Sequence, residues 1–596
     1  MRHRALVRTL FGSVLLHVAL VANATQPEPE RLRRHVEYLA HNDREGRGVG
    51  TRGLEEAAAY IAARFEKVGL EPGAPDGSWF QVFEATTGLR LVGDNTLRLG
   101  GTALELDVDW RPYAFSEVGS TAAPLVFVGY GITAPEYDWD DYADVEVTGK
   151  VVVALALEPG QADSTSAFDG TSLTVHSGLY PKAIYARDNG AAGLILVVGP
   201  HSDVEEKLKR LKADAVHSSA RILCAQVRSE ALERALPDLD LGALQQEIES
   251  SRQSASRPLD ARVEWRVELE KERTPLRNVI GVLPGRDPHR AVVIGAHYDH
   301  LGMGGSSSLA PDANEPHNGA DDNASGTAAL LEIARCFGTR QGKPEQTLVF
   351  AAFSGEEIGL AGSEHYVGDP AFPLQFTSAM LNMDMVGRLR SRRLNVLGAT
   401  SAEEFRDILE SENAAGPQFE LKARGDGYGP SDQMAFFKKS VPVLHFFTGA
   451  HSDYHKPSDD AKLLNYEGLA DIAAFVARVA EALSVRELTY VGASAPAGDT
   501  GVGGGFRSAL GTIPDYGQPE DLDGVLLSDV RAGSAAEKGG IRGGDIIVRI
   551  GDMEIHNIYD FVHVLKTRDP GEELEVVVLR EEKRLTLQVT LDAPKR

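Results

Sequence analysis

Between residues 276 and 485, short apolar runs alternate with helix-periodic segments, and metal-ligand side chains sit where the runs end. The stretches 291–296, 347–353, 379–383, 394–397 and 441–446 read as strands. Those over 325–337, 358–366, 402–412 and 467–483 carry helical periodicity. Such alternation predicts an α/β fold with a mixed, mainly parallel sheet covered by helices. In open sheets of this kind the functional site lies outside the carboxyl ends of the strands. The residues at those ends, or in the loops that follow, are His297, Asp322, Glu356, Glu357, Asp384 and His455.

Taken singly, a histidine at a strand end or a Glu-Glu pair on a loop is ordinary; the set is not. Two imidazoles and three carboxylates exceed the four ligands of one tetrahedral zinc. Asp322, Glu357 and Asp384 bring three negative charges against the four positive of two divalent ions, and one bridging hydroxide makes the cluster neutral. Imidazoles favour zinc over magnesium or calcium, so two Zn²⁺ are expected, about 3.5–4 Å apart. Asp322 lies in the Gly-containing turn 318–326, from which a carboxylate can reach both ions, and Ser325 is expected to cap the next helix. Adjacent Glu356 and Glu357 repel unless a cation stabilises one of them. With Glu357 on zinc, Glu356 remains to take a proton from water. Asp299, two residues beyond His297, can project to the same side and is expected to orient the imidazole through its other N–H.

The chain of 596 residues is too long for one core. Its formal charge of −26 argues against nucleic acid and against anionic membrane surfaces. Residues 1–24, with Arg2, Arg4 and Arg8 before an apolar stretch and Ala22-Asn23-Ala24 at its end, read as a cleaved export signal. A periplasmic or extracellular protein without stable membrane insertion is therefore expected. Cys224 and Cys336 fall in apolar surroundings and are read as buried free thiols. Residues 86–272 show short β-like runs and one helix without a catalytic cluster, 488–505 a Gly/Ala/Ser-rich linker, and 506–596 a small module. Residues 25–85 and 273–487 then form one discontinuous domain around the site.

The segments Gly295-Ala-His-Tyr-Asp-His-Leu-Gly302, Gly319-Ala-Asp-Asp-Asn-Ala-Ser-Gly326, Ser354-Gly-Glu-Glu357, Asn382-Met-Asp384 and Tyr454-His-Lys-Pro457 occur here in an order that resembles metallopeptidase family 28. The resemblance implies a phosphorylase/hydrolase-like zinc exopeptidase fold with two Zn²⁺. One would be held by His297, Asp322 and Asp384, the other by Asp322, Glu357 and His455, with Glu356 as general base and Asp299 in support. It implies peptide substrates and, most simply, aminopeptidase action, in which water activated by zinc attacks the scissile carbonyl. Carboxypeptidase action and glutaminyl cyclase-like acyl transfer belong to the same superfamily, and a non-catalytic peptide-binding protein is the alternative of another class. Val128-Gly-Tyr-Gly131 and Ala186-Arg-Asp-Asn-Gly-Ala-Ala-Gly193 make the insert resemble a protease-associated domain. Gly524-Val-Leu-Leu-Ser-Asp-Val530 and Gly543-Gly-Asp-Ile-Ile-Val-Arg549 make the last module resemble a β-rich PDZ domain. Its groove, with Ser508-Ala-Leu-Gly511 as carboxylate loop, would take a peptide C-terminus. His300, His317, Tyr428, Asp432 and Phe447 are further candidates for the pocket lining.

Overall fold

The computed structural model describes residues 26–492 and 506–594, apart from 162, 170–171, 210, 212–218, 306, 311–312, 516–517 and 520–521. The expected export signal (1–24) and most of the expected linker lie outside the described residues. No helix among the described residues is long and apolar enough to cross a membrane.

The sheet that carries the site contains β1 (Phe80–Leu91), β2 (Leu269–Leu283), β3 (Asp287–His297), β4 (Gln346–Phe353), β5 (Thr377–Met383), β6 (Arg393–Leu397), β7 (Glu420–Arg424) and β8 (Val443–Phe447). Its order is β2-β4-β3-β5-β8-β6-β7, with β1 and the short segment Glu71–Pro72 both paired to β2. The centre, β4-β3-β5-β8, is parallel throughout. Antiparallel pairs flank it on both sides, β2 on β4 and β6 on β8. Every residue of β4 and β5 is buried, the mark of strands covered on both faces.

One face is covered by α1 (Pro29–Leu39), α2 (Arg52–Lys67), α3 (Gly326–Gly338) and α6 (Tyr466–Ser484), whose apolar stripes join one core cluster with Val292, Ile294 and Leu381. The opposite face packs on α4 (Ala361–Gly368) and the segment Gln433–Phe437 through Phe353, Tyr366 and Phe436. Between α3 and α6 in sequence, α5 (Phe405–Ala414) completes the first cluster. Two details differ from expectation. Helix α4 starts at Ala361 rather than residue 358 because Leu360 is left-handed, with φ 61°. Strand β7 has no apolar run, only the alternation of a half-exposed edge strand, and so leaves no strand signal in the sequence.

Strands β1 and β2 pair over residues 80–91 and 269–279 as one long ribbon that leads into the insert. The positions 86 and 272 fall inside this ribbon. The insert has its own eight-stranded sheet and its own core around Trp110, Phe127 and Trp265. Cys224 is buried in that sheet and Cys336 in α3, both as free thiols.

The C-terminal module, a six-stranded sheet with helix Ile558–Thr567, touches both other parts. Arg187 of the insert meets the fully buried Asp560 at 3.2 Å, and Tyr180 packs at a tilt against Tyr559 and accepts a hydrogen bond from Asn557. On the other side Arg531 reaches Asp426 at 3.1 Å, Lys438 lies between Glu364 and Asp515, and Ile513 joins the cluster of Tyr428 and Phe437. The C-terminal module is thus fastened to both other parts by largely buried polar contacts. Arg187→Ala leaves Asp560 buried without its cation and is expected to lower stability by roughly 3–5 kcal/mol in urea unfolding. A loss under about 1 kcal/mol, the range of an exposed pair, would mean that the contact is not kept in solution.

Candidate metal centre

The parallel centre of the sheet delivers four of the six residues. His297 ends β3, Asp384 follows β5, and Glu356-Glu357 follow β4 after a turn at Gly355. His455 comes from the loop after β8, and Asp322 from the turn ahead of α3. That turn requires Gly319, whose φ is 53° and where a Cβ would stand 2.0 Å from the Asp322 carbonyl oxygen.

The two oxygens of Asp322 face two different imidazoles. Oδ1 is 3.4 Å from His297 Nε2 and Oδ2 is 3.3 Å from His455 Nε2. Asp384 Oδ1 is also 3.4 Å from His297 Nε2, and Glu357 Oε2 is 3.3 Å from His455 Nε2. All four separations are longer than an ordinary N–H···O bond, which is about 2.7–3.2 Å. They match the edge of a tetrahedron instead: two ligands each about 2.0–2.1 Å from one zinc are about 3.3–3.4 Å apart. His297 Nε2 and Asp384 Oδ1 are buried and have no hydrogen-bond partner, which suits a shared cation. The residues present therefore fit two zinc ions on either side of Asp322. His300 also approaches, and its ligand atom clusters with those of Asp322 and Glu357. Its Nδ1 is 2.6 Å from Glu357 Oε1, a hydrogen-bond distance rather than a tetrahedral edge, so it orients Glu357 and leaves Oε2 for His455.

Glu356 stands slightly apart, with Oε2 4.0 Å from His297 Nε2 and its side chain 11% exposed, against 1% for the imidazole. Burial, together with Glu357 and Asp384, pushes its carboxyl well above the usual range against the pull of His297. His455 moves the other way from a buried imidazole: burial lowers it, but the adjacent Asp322 and Glu357 carboxylates push it up to about 10.

The structure corrects two supporting roles. The nearest Asp299 group to His297 Nδ1 is the backbone carbonyl at 3.3 Å, with the carboxylate 3.8 Å away. The Asp299 carboxylate accepts instead from the amides of Glu356 (3.2 Å) and Glu357 (3.4 Å), so it holds the Glu-Glu turn as much as the ring. Ser325 does not cap α3; its hydroxyl donates to the Asp321 carbonyl and accepts from Val386 N–H, while Asn323 Oδ1 takes the Gly326 amide. Asn323 also donates to the Met383 carbonyl, tying the Asp322 turn to the strand that ends in Asp384.

Other supporting groups carry only an ordinary sequence signal. Asp459 accepts from the amides of Asp321 and Asp322 and pairs with Arg388 at 2.7 Å, clamping the loop of His455 to the Asp322 turn. Asp321 turns away from the centre, accepting from Gly387 N–H and lying 3.2 Å from His451. Of the pocket candidates, only His300 touches the cluster by hydrogen bond. His317 bonds to Ser308, Tyr428 packs on Phe437, Asp432 is fully buried and Phe447 is half-buried beside His445.

Residues 278–480 match the model of Peptidase family M28, and residues 503–591 that of the PDZ domain. A "Probable zinc metalloprotease" of Pyrenophora teres f. teres is 27% identical over 334 residues, 51% of this chain and 70% of that protein. Aminopeptidase YwaD of Bacillus subtilis is 29% identical over 204 residues, 32% of this chain and 41% of that one. Among solved structures, an aminopeptidase from Aneurinibacillus sp. strain AM-1 superposes with a TM-score of 0.46 at 20% identity, over 77% of this chain and 94% of that one. The chain thus carries a region, 278–480, that matches Peptidase family M28 and a C-terminal region, 503–591, that matches the PDZ domain.

Proposed function

We propose that this M28 peptidase is an exported dizinc aminopeptidase. The observation that carries the reading is the pair of oxygens on Asp322, each at a tetrahedral-edge distance from a different imidazole. His297, Asp322 and Asp384 are assigned to one zinc, and Asp322, Glu357 and His455 to the other. Bound there, zinc supplies Lewis acidity, lowering the pKa of a water and polarising a carbonyl.

The protein's own residues do the rest. Glu356 is the carboxylate of the cluster that no tetrahedral edge claims, and it takes a proton from water and passes it to the leaving amine. Asp299 keeps Glu356 in place through the amide bond already described. His300 fixes the orientation of Glu357. The aminopeptidase choice leans on the named activities of relatives. Export rests on residues 1–24, and the insert is assigned as a protease-associated domain. The PDZ groove is assigned to a peptide C-terminus. In its expected carboxylate loop the amides of Ser508 and Ala509 donate to the carbonyls of Leu565 and Asp592.

Glu356→Ala is expected to lower kcat by roughly 10²–10⁴-fold with two zinc ions still bound; near-normal turnover would remove Glu356 from the role of base. His455→Ala, by contrast, is expected to lose zinc on a metal assay. Peptides with a free amino terminus should be cleaved and their amino-blocked counterparts should not. Cleavage of blocked peptides from the carboxyl end would transfer the assignment to a carboxypeptidase.

A further inference from the structure

Arg47 lies in a turn between α1 and α2, remote in sequence from the metal centre, yet its side chain is fully buried. None of its hydrogen-bond partners is a carboxylate. Nε donates to the Tyr298 carbonyl (2.8 Å), Nη1 to those of Leu39 (2.8 Å) and Asn318 (2.7 Å), and Nη2 to that of Gly319 (2.9 Å). Tyr298 sits between His297 and Asp299, while Asn318 and Gly319 lead into the turn of Asp322. One guanidinium therefore binds together the two segments that present the imidazole and the shared carboxylate. The backbone of the same turn repeats the connection: the carbonyls of Arg47 and Gly46 accept from the amides of His300 and Gly302. The approach is so close that a Cβ on Gly46 would stand 2.3 Å from the Gly302 oxygen.

We infer that Arg47 is a positioning residue for the metal ligands, fixing His297 relative to Asp322 before any cation binds. The inference rests on the zinc reading of the site. A guanidinium suits the task because it spreads five N–H donors in a rigid planar fork, whereas an ammonium concentrates three on one atom. A buried cation without a direct acidic partner is costly unless other charges offset it. Here the acidic groups that support it are Asp322, Asp299, Asp459 and Glu357, residues of the centre and its supports. The metal ligands and Arg47 thus depend on each other: the carboxylates stabilise the buried cation, and the cation holds the segments that carry them.

The test is the zinc affinity of the full chain, read by competition with a chromophoric chelator, for wild type, Arg47→Lys and Arg47→Met, with folding followed by circular dichroism. Arg47→Lys keeps the charge and loses the fork, and is expected to bind zinc about 10–100-fold more weakly, the usual effect of removing a group that supports metal ligands. Lost peptidase activity should return as free zinc is raised. A folded Arg47→Lys with wild-type zinc affinity overturns the inference, as does an activity loss that zinc does not restore. Should neither variant fold, hydrogen exchange on the wild type decides. Amides 318–326 protected equally without and with zinc support positioning by Arg47, and protection that appears only with zinc contradicts it. A wild type that binds no zinc would instead refute the reading of the site itself.

Discussion

Carboxylates crowded at the end of a buried sheet repel one another and lose hydration, and the whole site is organised around making that arrangement tolerable. Asp322, Glu357 and Asp384 lie within reach of two imidazoles, and Asp322 divides its oxygens between them. The same carboxylates push His455 up to about 10 despite burial. The two zinc ions proposed would relieve the same repulsion and would give the four 3.3–3.4 Å separations a common cause. Much of the surrounding structure serves to hold those separations. Asp459 and Asn323 secure the Asp322 turn, Asp299 the Glu-Glu turn and His300 the free end of Glu357.

The residues of the centre were legible in the sequence because parallel strands leave a strong trace. Apolar runs such as 347–353 stop abruptly, and the acidic residues just beyond them have no packing reason to be there. The groups that support the centre leave no such trace. Asp459 looks like any acid in a loop, Ser325 looks like a helix cap, and Arg47 looks like a surface arginine in a glycine-rich turn. Their roles come from contacts between segments far apart in the chain, 251 residues in the case of Arg47 and Tyr298. Local pattern carries no information about such contacts. Edge strands fall in the same class: β7 is half-exposed and alternates too weakly to be distinguished from loop.

The domain order has a mechanical consequence. The insert leaves and re-enters the peptidase sheet through the ribbon of β1 and β2, so its position follows the edge of that sheet. The PDZ module adds a second connection, with Asp560 on Arg187 of the insert and Arg531 on Asp426 of the peptidase part. Asp426 opens the segment that leads to Ser431, whose hydroxyl accepts from Asn382, two residues before Asp384. A chain of packed groups therefore runs from the C-terminal module to the strand end that bears Asp384.

The central claim is that two zinc ions share Asp322. Anomalous diffraction from a crystal of the zinc-loaded protein, recorded at the zinc edge, tests it most directly. The account predicts two peaks about 3.5–4 Å apart, one beside His297 and Asp384 and the other beside His455 and Glu357, with Asp322 between them. A single peak, or a second one held by His300 in place of His455, would contradict it.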